Sequence, residues 1–253
     1  MRISFVTTIL LTAALALAGT PEEHLTFQLD FEQGLTPATA KGAKTVTWLG
    51  QGKKAQFAPA LPNIGVNDRS TPGSGFATGR EGNAISIPAK GNISTKEGTL
   101  LFFVKGNKGV KWNQRDDVFQ VFFSWQCGPT SLIFYKYGAN FFTRFYDAEL
   151  KQIHPLPPYK EDEWNCFALT WRGTEFKWYL NGEIVGQTTR QKPLNATDKD
   201  VINFGQAWGK QENDNRVQDD LRIYDRVLLP QEIFSIYAET TGLLKSPRQM
   251  AKS

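Results

Sequence analysis

Hydrophobic and polar residues alternate with a period of two along much of this chain, and helical periodicity is nearly absent before residue 229. In TFQLDF, Phe27, Leu29 and Phe31 fall on one face and Thr26, Gln28 and Asp30 on the other, as in a half-buried strand. NAISIP predicts another short strand. GTLLFFVKG is apolar almost without interruption, which suits a central strand buried on both faces. VFQVFFSW, SLIFYKYG and NFFTRFYDAE follow, the last two joined through Gly138 and Ala139 as a hairpin.

The segment WNCFALTWRGTEFKWYLNGEIVGQTT predicts a three-stranded meander. Its turns are Arg172-Gly173-Thr174 and Asn181-Gly182, the latter a pair that tolerates positive φ at both positions. Residues 36–82 alternate weakly, are rich in Gly, Pro, Ala and Lys, and predict two irregular strands crossing an edge. Near the end, DDLRIYDRVLLPQEIFSIYA reads as a strand led by two acids and followed by a helix. Pro230 is suited to the first helical turn, Glu232 to the positive amino end, and Ile233, Ile236 and Tyr237 to sealing the sandwich edge. The expected fold class is all-β, a two-sheet antiparallel β-sandwich of the jelly-roll kind with a short C-terminal helix.

Residues 1–18 combine Arg2, an apolar run and Ala16-Leu17-Ala18, which reads as a secretory signal peptide. The expected organisation is the signal peptide over 1–18, a lead-in over 19–24, one domain over 25–240 and a flexible tail over 241–253. No later run approaches the roughly 18 apolar residues of a spanning helix. A secreted or periplasmic protein without membrane insertion is expected. The 29 basic and 25 acidic residues are scattered, so no nucleic-acid footprint arises. Cys127 and Cys166 leave two readings open, a disulfide or two buried thiols. Asn92-Ile93-Ser94 and Asn195-Ala196-Thr197 are glycan acceptors if the export route is eukaryotic.

The order LTFQLDFEQG, GREGNAISIP, KEGTLLFFVKG, EDEWNCFALTWRGTEFKWYLNGEIVGQTT, INFGQAWG and DDLRIYDRVLLPQEIFSIY resembles the concanavalin A-like sandwich of the laminin-G-like jelly-roll family. The resemblance spans residues 25–240 and is weakest over 36–68. It implies a structural calcium between the first and last strands, with Asp30 and Asp220 as ligands. The adjacent acids Asp219 and Asp220 repel unless neutralised, and calcium with its six to eight oxygen ligands does that well. The other reading is an ordinary solvated strand start.

The fold also carries glycoside hydrolases and polysaccharide lyases, so catalysis is judged from residues. A hydrolase needs two carboxylates about 5–9.5 Å apart, typically at i, i+2 or i+4 on a strand. No E-x-D-x-x-E strand is present, and Asp116, Asp117, Glu161 and Glu163 look like turn acids. The two histidines, His24 and His154, give a Ser/His/Asp triad or a histidine metal site little to draw on. Tyr135, Tyr137, Arg144 and Tyr146 on the hairpin supply the Arg-Tyr chemistry of a lyase and are equally ordinary in an aromatic strand.

Trp164, Trp171 and Trp178 occupy strand positions and read as core, whereas Trp112 and Trp208 sit in polar, glycine-containing stretches. Sugars stack on aromatic rings, and Gln211 and Asn213 beside Trp208 offer donors and acceptors. Trp112, Trp208, Gln211 and Asn213 are therefore the expected ligand-binding residues. The expected function is a secreted, non-catalytic carbohydrate- or ligand-binding module stabilised by calcium, with a glycan or another extracellular ligand as partner. The alternatives are a structural or adhesive cell-envelope protein, or a diverged lyase or hydrolase.

Overall fold

The structure is a computed structural model that describes residues 19–49, 55, 57–62, 72–78, 84–106, 120–128, 130–137, 140–146, 150–154, 163–195, 197, 199–205 and 216–243. The expected signal peptide and most of the expected tail lie outside the described residues. A 3-10 turn, Pro21–His24, precedes β1 (Leu25–Leu29), β2 (Thr39–Ala40), β3 (Thr47–Trp48), β4 (Phe57–Pro62) and β5 (Pro72–Thr78). Next come β6 (Ala84–Pro88), β7 (Glu97–Gly106), β8 (Gln120–Cys127), β9 (Thr130–Tyr137), β10 (Asn140–Phe145) and β11 (Leu150–His154). The chain closes with β12 (Asn165–Arg172), β13 (Glu175–Leu180), β14 (Glu183–Thr189), β15 (Val201–Gly205), β16 (Arg216–Tyr224) and the helix α1 (Pro230–Thr241).

These strands form two antiparallel sheets stacked as a sandwich, as the alternation predicts. One has the order β14-β13-β12-β7-β16-β1-β2, with β5 also on β16 and β4 on β5; the other runs β11-β10-β9-β8-β15-β6-β3. The weakly patterned 36–82 stretch supplies four described strands where two were expected, because β2 and β3 are two-residue pairings that no periodicity can announce.

Inward residues of both sheets share one core. Phe27, Leu29 and Phe31 are fully buried there, as their alternation predicts. The uninterrupted run in β7 has the expected two-sided burial: Leu100, Phe102 and Val104 face the sandwich interior, while Leu101 and Phe103 join a second cluster on the opposite face. Trp125, Trp171 and Trp178 are core residues, the first two with rings 5.3 Å apart. The β13–β14 turn places Asn181 at φ 53° and Gly182 at φ 87°, the left-handed pair that Asn-Gly favours. Asn181 also fastens the meander, since its Oδ1 accepts from Cys166 N–H at 2.8 Å.

The helix departs from expectation in what it covers. Ile233 and Ile236 do not seal an edge. They lie on the outer face of the larger sheet with Leu101, Phe103, Cys166, Ala168 and Tyr179. A continuous apolar strand needs cover on both sides, and α1 supplies the second cover. Glu232 closes the helix start, accepting from Leu229 N–H at 2.7 Å and from both terminal nitrogens of Arg226 at 2.7 Å. Gly242 ends the helix in the left-handed conformation at φ 77°.

Burial pushes the Glu232 carboxyl up, but the Arg226 and Leu229 donors outweigh it and hold the group below the usual 4.5. A carboxyl depressed on folding stabilises the native state above its unfolded pKa, and that contribution disappears as pH falls through the folded value. Wild-type stability is therefore expected to fall below about pH 4.5 in part through this group, and Glu232→Gln to flatten that acid limb while lowering stability at neutral pH. Urea melts across the acid range check this.

The cysteines resolve to the second of their two readings. Cys127 lies in the interior core and Cys166 beneath α1 on the far face of the larger sheet, so no disulfide joins them. Burial pushes the Cys166 thiol well up, keeping it an unreactive hydrophobe. Asn92 is fully buried, and its Nδ2 donates to the carbonyls of Ala43 and Pro88 at 2.9 and 3.0 Å. That nitrogen is committed inside the fold, which removes the Asn92 sequon as an acceptor in the native protein; Asn195 is exposed.

Candidate functional site

Asp219 and Asp220 do not lead a strand into solvent. They lie within β16 at a bulge, are 2% and 3% exposed, and Asp220 has the left-handed φ of 48°. Bulges re-aim side chains. Here Asp219 Oδ1 accepts from Asp220 N–H at 2.7 Å, and the Asp220 carboxylate takes Arg222 Nε at 2.9 Å on both oxygens and Arg222 Nη2 at 2.5 Å on Oδ2. Gln28 Nε2 donates to Asp220 Oδ1 at 2.9 Å from the neighbouring β1.

Leu29 pairs with Leu221, so Asp30 leaves β1 at the end where Asp220 sits, as a shared cation site requires. The rest of the arrangement gives the Asp220 oxygens other partners. A cation ligand must offer unsatisfied oxygens, whereas the Asp220 carboxylate already receives a guanidinium and an amide. Asp30 Oδ1 accepts from Glu32 N–H at 3.2 Å. No group of three or more His, Cys, Asp or Glu side chains able to hold a metal occurs among the described residues. The signal for the alternative was in the sequence, because Asp220 and Arg222 are two apart on a strand and so share a face.

The expected ligand residues Trp112, Trp208, Gln211 and Asn213 lie outside the described residues, as do Asp116, Asp117 and Glu161. In sequence, 107–119 lies between β7 and β8 and 206–215 between β15 and β16, and the described strand ends Gly106 and Arg216 pair at one end of the sandwich. At that end Arg216 is fully buried, donates from Nη2 to the Val121 carbonyl at 3.1 Å and lies over the Phe122 ring at 4.3 Å. Gln218 Nε2 reaches the Phe122 carbonyl at 3.3 Å, so β16 is tied across the sandwich to β8.

The outer face of the smaller sheet has a different chemistry. In β10, Phe141 and Phe145 enter the interior core, while Phe142 joins Val121, Ile133 and Tyr135 in a separate cluster outside it. Tyr135 and Phe142, cross-strand partners, stack with centroids 5.1 Å apart and planes 14° apart. Arg144 lies 4.4 Å above the Tyr146 ring, as the shared face of these two residues predicts. Tyr137 and Tyr146 are 49% and 46% exposed, which leaves two phenol rings available to a ligand. Burial raises the Tyr135 phenol above its ordinary value and Tyr146 adds to this, with Arg144 opposing. Tyr135 is thus a neutral hydroxyl at physiological pH, the wrong direction for a general base.

The seven strands of this sheet contain no Asp or Glu at all. A glycoside hydrolase on this sheet would need two carboxylates flanking the scissile bond, and its strands supply none. The larger sheet carries Glu97, Glu175, Glu183, Asp219 and Asp220. A cavity of 610 Å³ between the lead-in and α1, lined by Glu22, Glu23, Ser235 and Glu239 among others, lacks such exposed rings.

The same architecture recurs in solved structures. Domain 4 of AbnA, an extracellular GH43 arabinanase from Geobacillus stearothermophilus solved in complex with arabinotriose, is 16% identical, with a TM-score of 0.62 over 85% of this chain and 98% of that one. The binding domain of Paraclostridial Mosquitocidal Protein 1 is 13% identical, with a TM-score of 0.65 over 86% of this chain and 52% of that one. The receptor binding domain of botulinum neurotoxin D is 14% identical, with a TM-score of 0.64 over 86% and 53%. The chain thus spans about half the length of the toxin domains it matches. These identities speak for the fold alone. No curated protein sequence matches significantly. The family profile described as the concanavalin A-like lectin/glucanases superfamily matches residues 78–234, and the chain belongs to that superfamily.

Proposed function

We propose that this domain is a non-catalytic carbohydrate-binding module whose binding surface is the outer face of the seven-stranded sheet. The observation that carries the reading is the composition of that face: exposed Tyr137 and Tyr146, the stacked Tyr135 and Phe142, and Arg144, on a sheet whose strands contain no carboxylate. Flat rings offer apolar surface to a sugar, phenol and guanidinium groups meet its hydroxyls, and the described strands of this sheet supply no acid and base for hydrolysis. The arabinotriose complex of the arabinanase domain, which is alike in fold along nearly its whole length, supports the same reading.

Trp112, Trp208, Gln211 and Asn213 remain part of the proposal as ligand contacts. So does export through residues 1–18; no described helix is long and apolar enough to cross a membrane. Affinity electrophoresis against neutral and acidic polysaccharides tests the reading. Retardation by at least one polysaccharide is expected, weakened about tenfold in Tyr146→Ala as for loss of a tyrosine anchor. Reducing ends or unsaturated uronates released during the assay would overturn the non-catalytic reading, and no retardation by any polysaccharide would overturn the binding reading.

A further inference from the structure

The charge on the proposed face goes further than sugar binding in general. The only ionisable side chains in the seven strands besides tyrosine, cysteine and histidine are Lys136, Arg144 and Lys151, all basic. Lys136 is fully buried. Arg144 is half-buried on the outer face, and among the described residues no carboxylate pairs with it; its described partner is the Tyr146 ring. In the β10–β11 ladder Lys151 stands opposite Arg144. Four basic groups elsewhere have described carboxylate partners: Arg172 pairs with Glu97, Arg222 with Asp220, Arg226 with Glu232 and Lys41 with Asp225.

A guanidinium seated on an exposed ring, flanked by a stacked aromatic pair and by strands without carboxylates, presents a planar set of donors. Those strands hold no carboxylate to compete for it. Such a group favours a planar carboxylate or a sulfate over a hydroxyl, because charge-assisted, bidentate bonds are roughly twice as strong as neutral ones. Low dielectric over the buried Tyr135–Phe142 pair lessens screening of that contact.

We propose that the glycan read by this face is anionic, carrying carboxylate or sulfate groups, and that Arg144 is the residue that selects it. The inference rests on the proposed binding function and narrows its ligand class. The test measures affinity of the full chain for polygalacturonate, dextran sulfate and neutral arabinan, at low and high salt, for wild type, Arg144→Gln and Arg144→Lys.

One anionic polymer is expected to bind about tenfold or more tightly than arabinan, with affinity falling as salt rises. Arg144→Gln should remove most of that preference and of the salt dependence, lowering affinity for the anionic polymer far more than for arabinan, and Arg144→Lys should keep part of the preference. Preference for polygalacturonate supports a carboxylate ligand and preference for dextran sulfate a sulfated one. Arabinan binding as tight as that of the better-bound anionic polymer would overturn the anionic assignment and leave carbohydrate binding standing. Anionic binding indifferent to Arg144→Gln would overturn the role of Arg144, and binding to none of the three polymers would overturn the function and the inference together.

Discussion

Arg222→Ala is expected to destabilise the domain by about 3–5 kcal/mol, the range for removing one partner of a buried ion pair. Arg222 and Asp220 side chains are 14% and 4% exposed, so solvent cannot take the place of the lost guanidinium. The variant leaves a carboxylate inside β16 with Gln28 as its other described side-chain donor. The expected fall in Tm is on the order of 10 °C for a domain of this size. Asp220→Asn in the Arg222→Ala background should recover part of the loss, because it withdraws the stranded charge. A melting curve for Arg222→Ala that overlays wild type would show that the pair contributes nothing.

The same melts bear on calcium. If Arg222 neutralises Asp220, wild-type Tm is indifferent to calcium and to chelator; a wild-type Tm that rises with calcium would mean that a cation displaces the guanidinium.

Phe102→Ala should cost about as much by a different route. Phe102 projects from the central strand β7 into the middle of the sandwich, with ring centroids of Phe122, Phe123, Phe167 and Phe204 at 6.1, 6.0, 5.7 and 5.4 Å. These four rings come from β8, β12 and β15, so the residue joins both sheets. Truncation leaves a cavity that surrounding strands, fixed by their ladders, fill only in part, and the loss is about 3–5 kcal/mol. Denaturant unfolding should show a lower midpoint with an unchanged slope, since the fold and the area exposed remain the same.

Much of this architecture was legible because strand burial has a period of two. Phe27, Leu29 and Phe31 declared their face directly, and Asn181-Gly182 declared its hairpin through its backbone requirement. Where burial breaks the period, alternation no longer tells which residues face inward. In β8 the register shifts between Val121 and Phe123, so Phe122 and Phe123 both face the core. In β16 a second bulge buries two acids that look like a solvated strand start.

The destination of α1 was equally hidden. An amphipathic stripe states that Ile233 and Ile236 need an apolar partner, but not whether that partner is an edge or an outer face. The two-sided run in β7 held the missing clue, because its second apolar face requires a cover.

The proposed binding face was half visible. Arg144 and Tyr146 share a face by simple alternation, and the stacking of Tyr135 on Phe142 follows from hairpin register. What no local reading could provide is the absence of carboxylates across one whole sheet. Its strands are scattered between Thr47 and Gly205, with strands of the larger sheet interleaved, and the property emerges only when β15 is placed beside β8 and β6.

The most direct measurement is a crystal structure of the chain with an oligosaccharide derived from whichever polysaccharide it binds. The account predicts a sugar ring over Tyr146 or Tyr137 on the outer face of the seven-stranded sheet, with Arg144 in contact. A sugar seated instead on the outer face of the nine-stranded sheet, or in the cavity between the lead-in and α1, would contradict it.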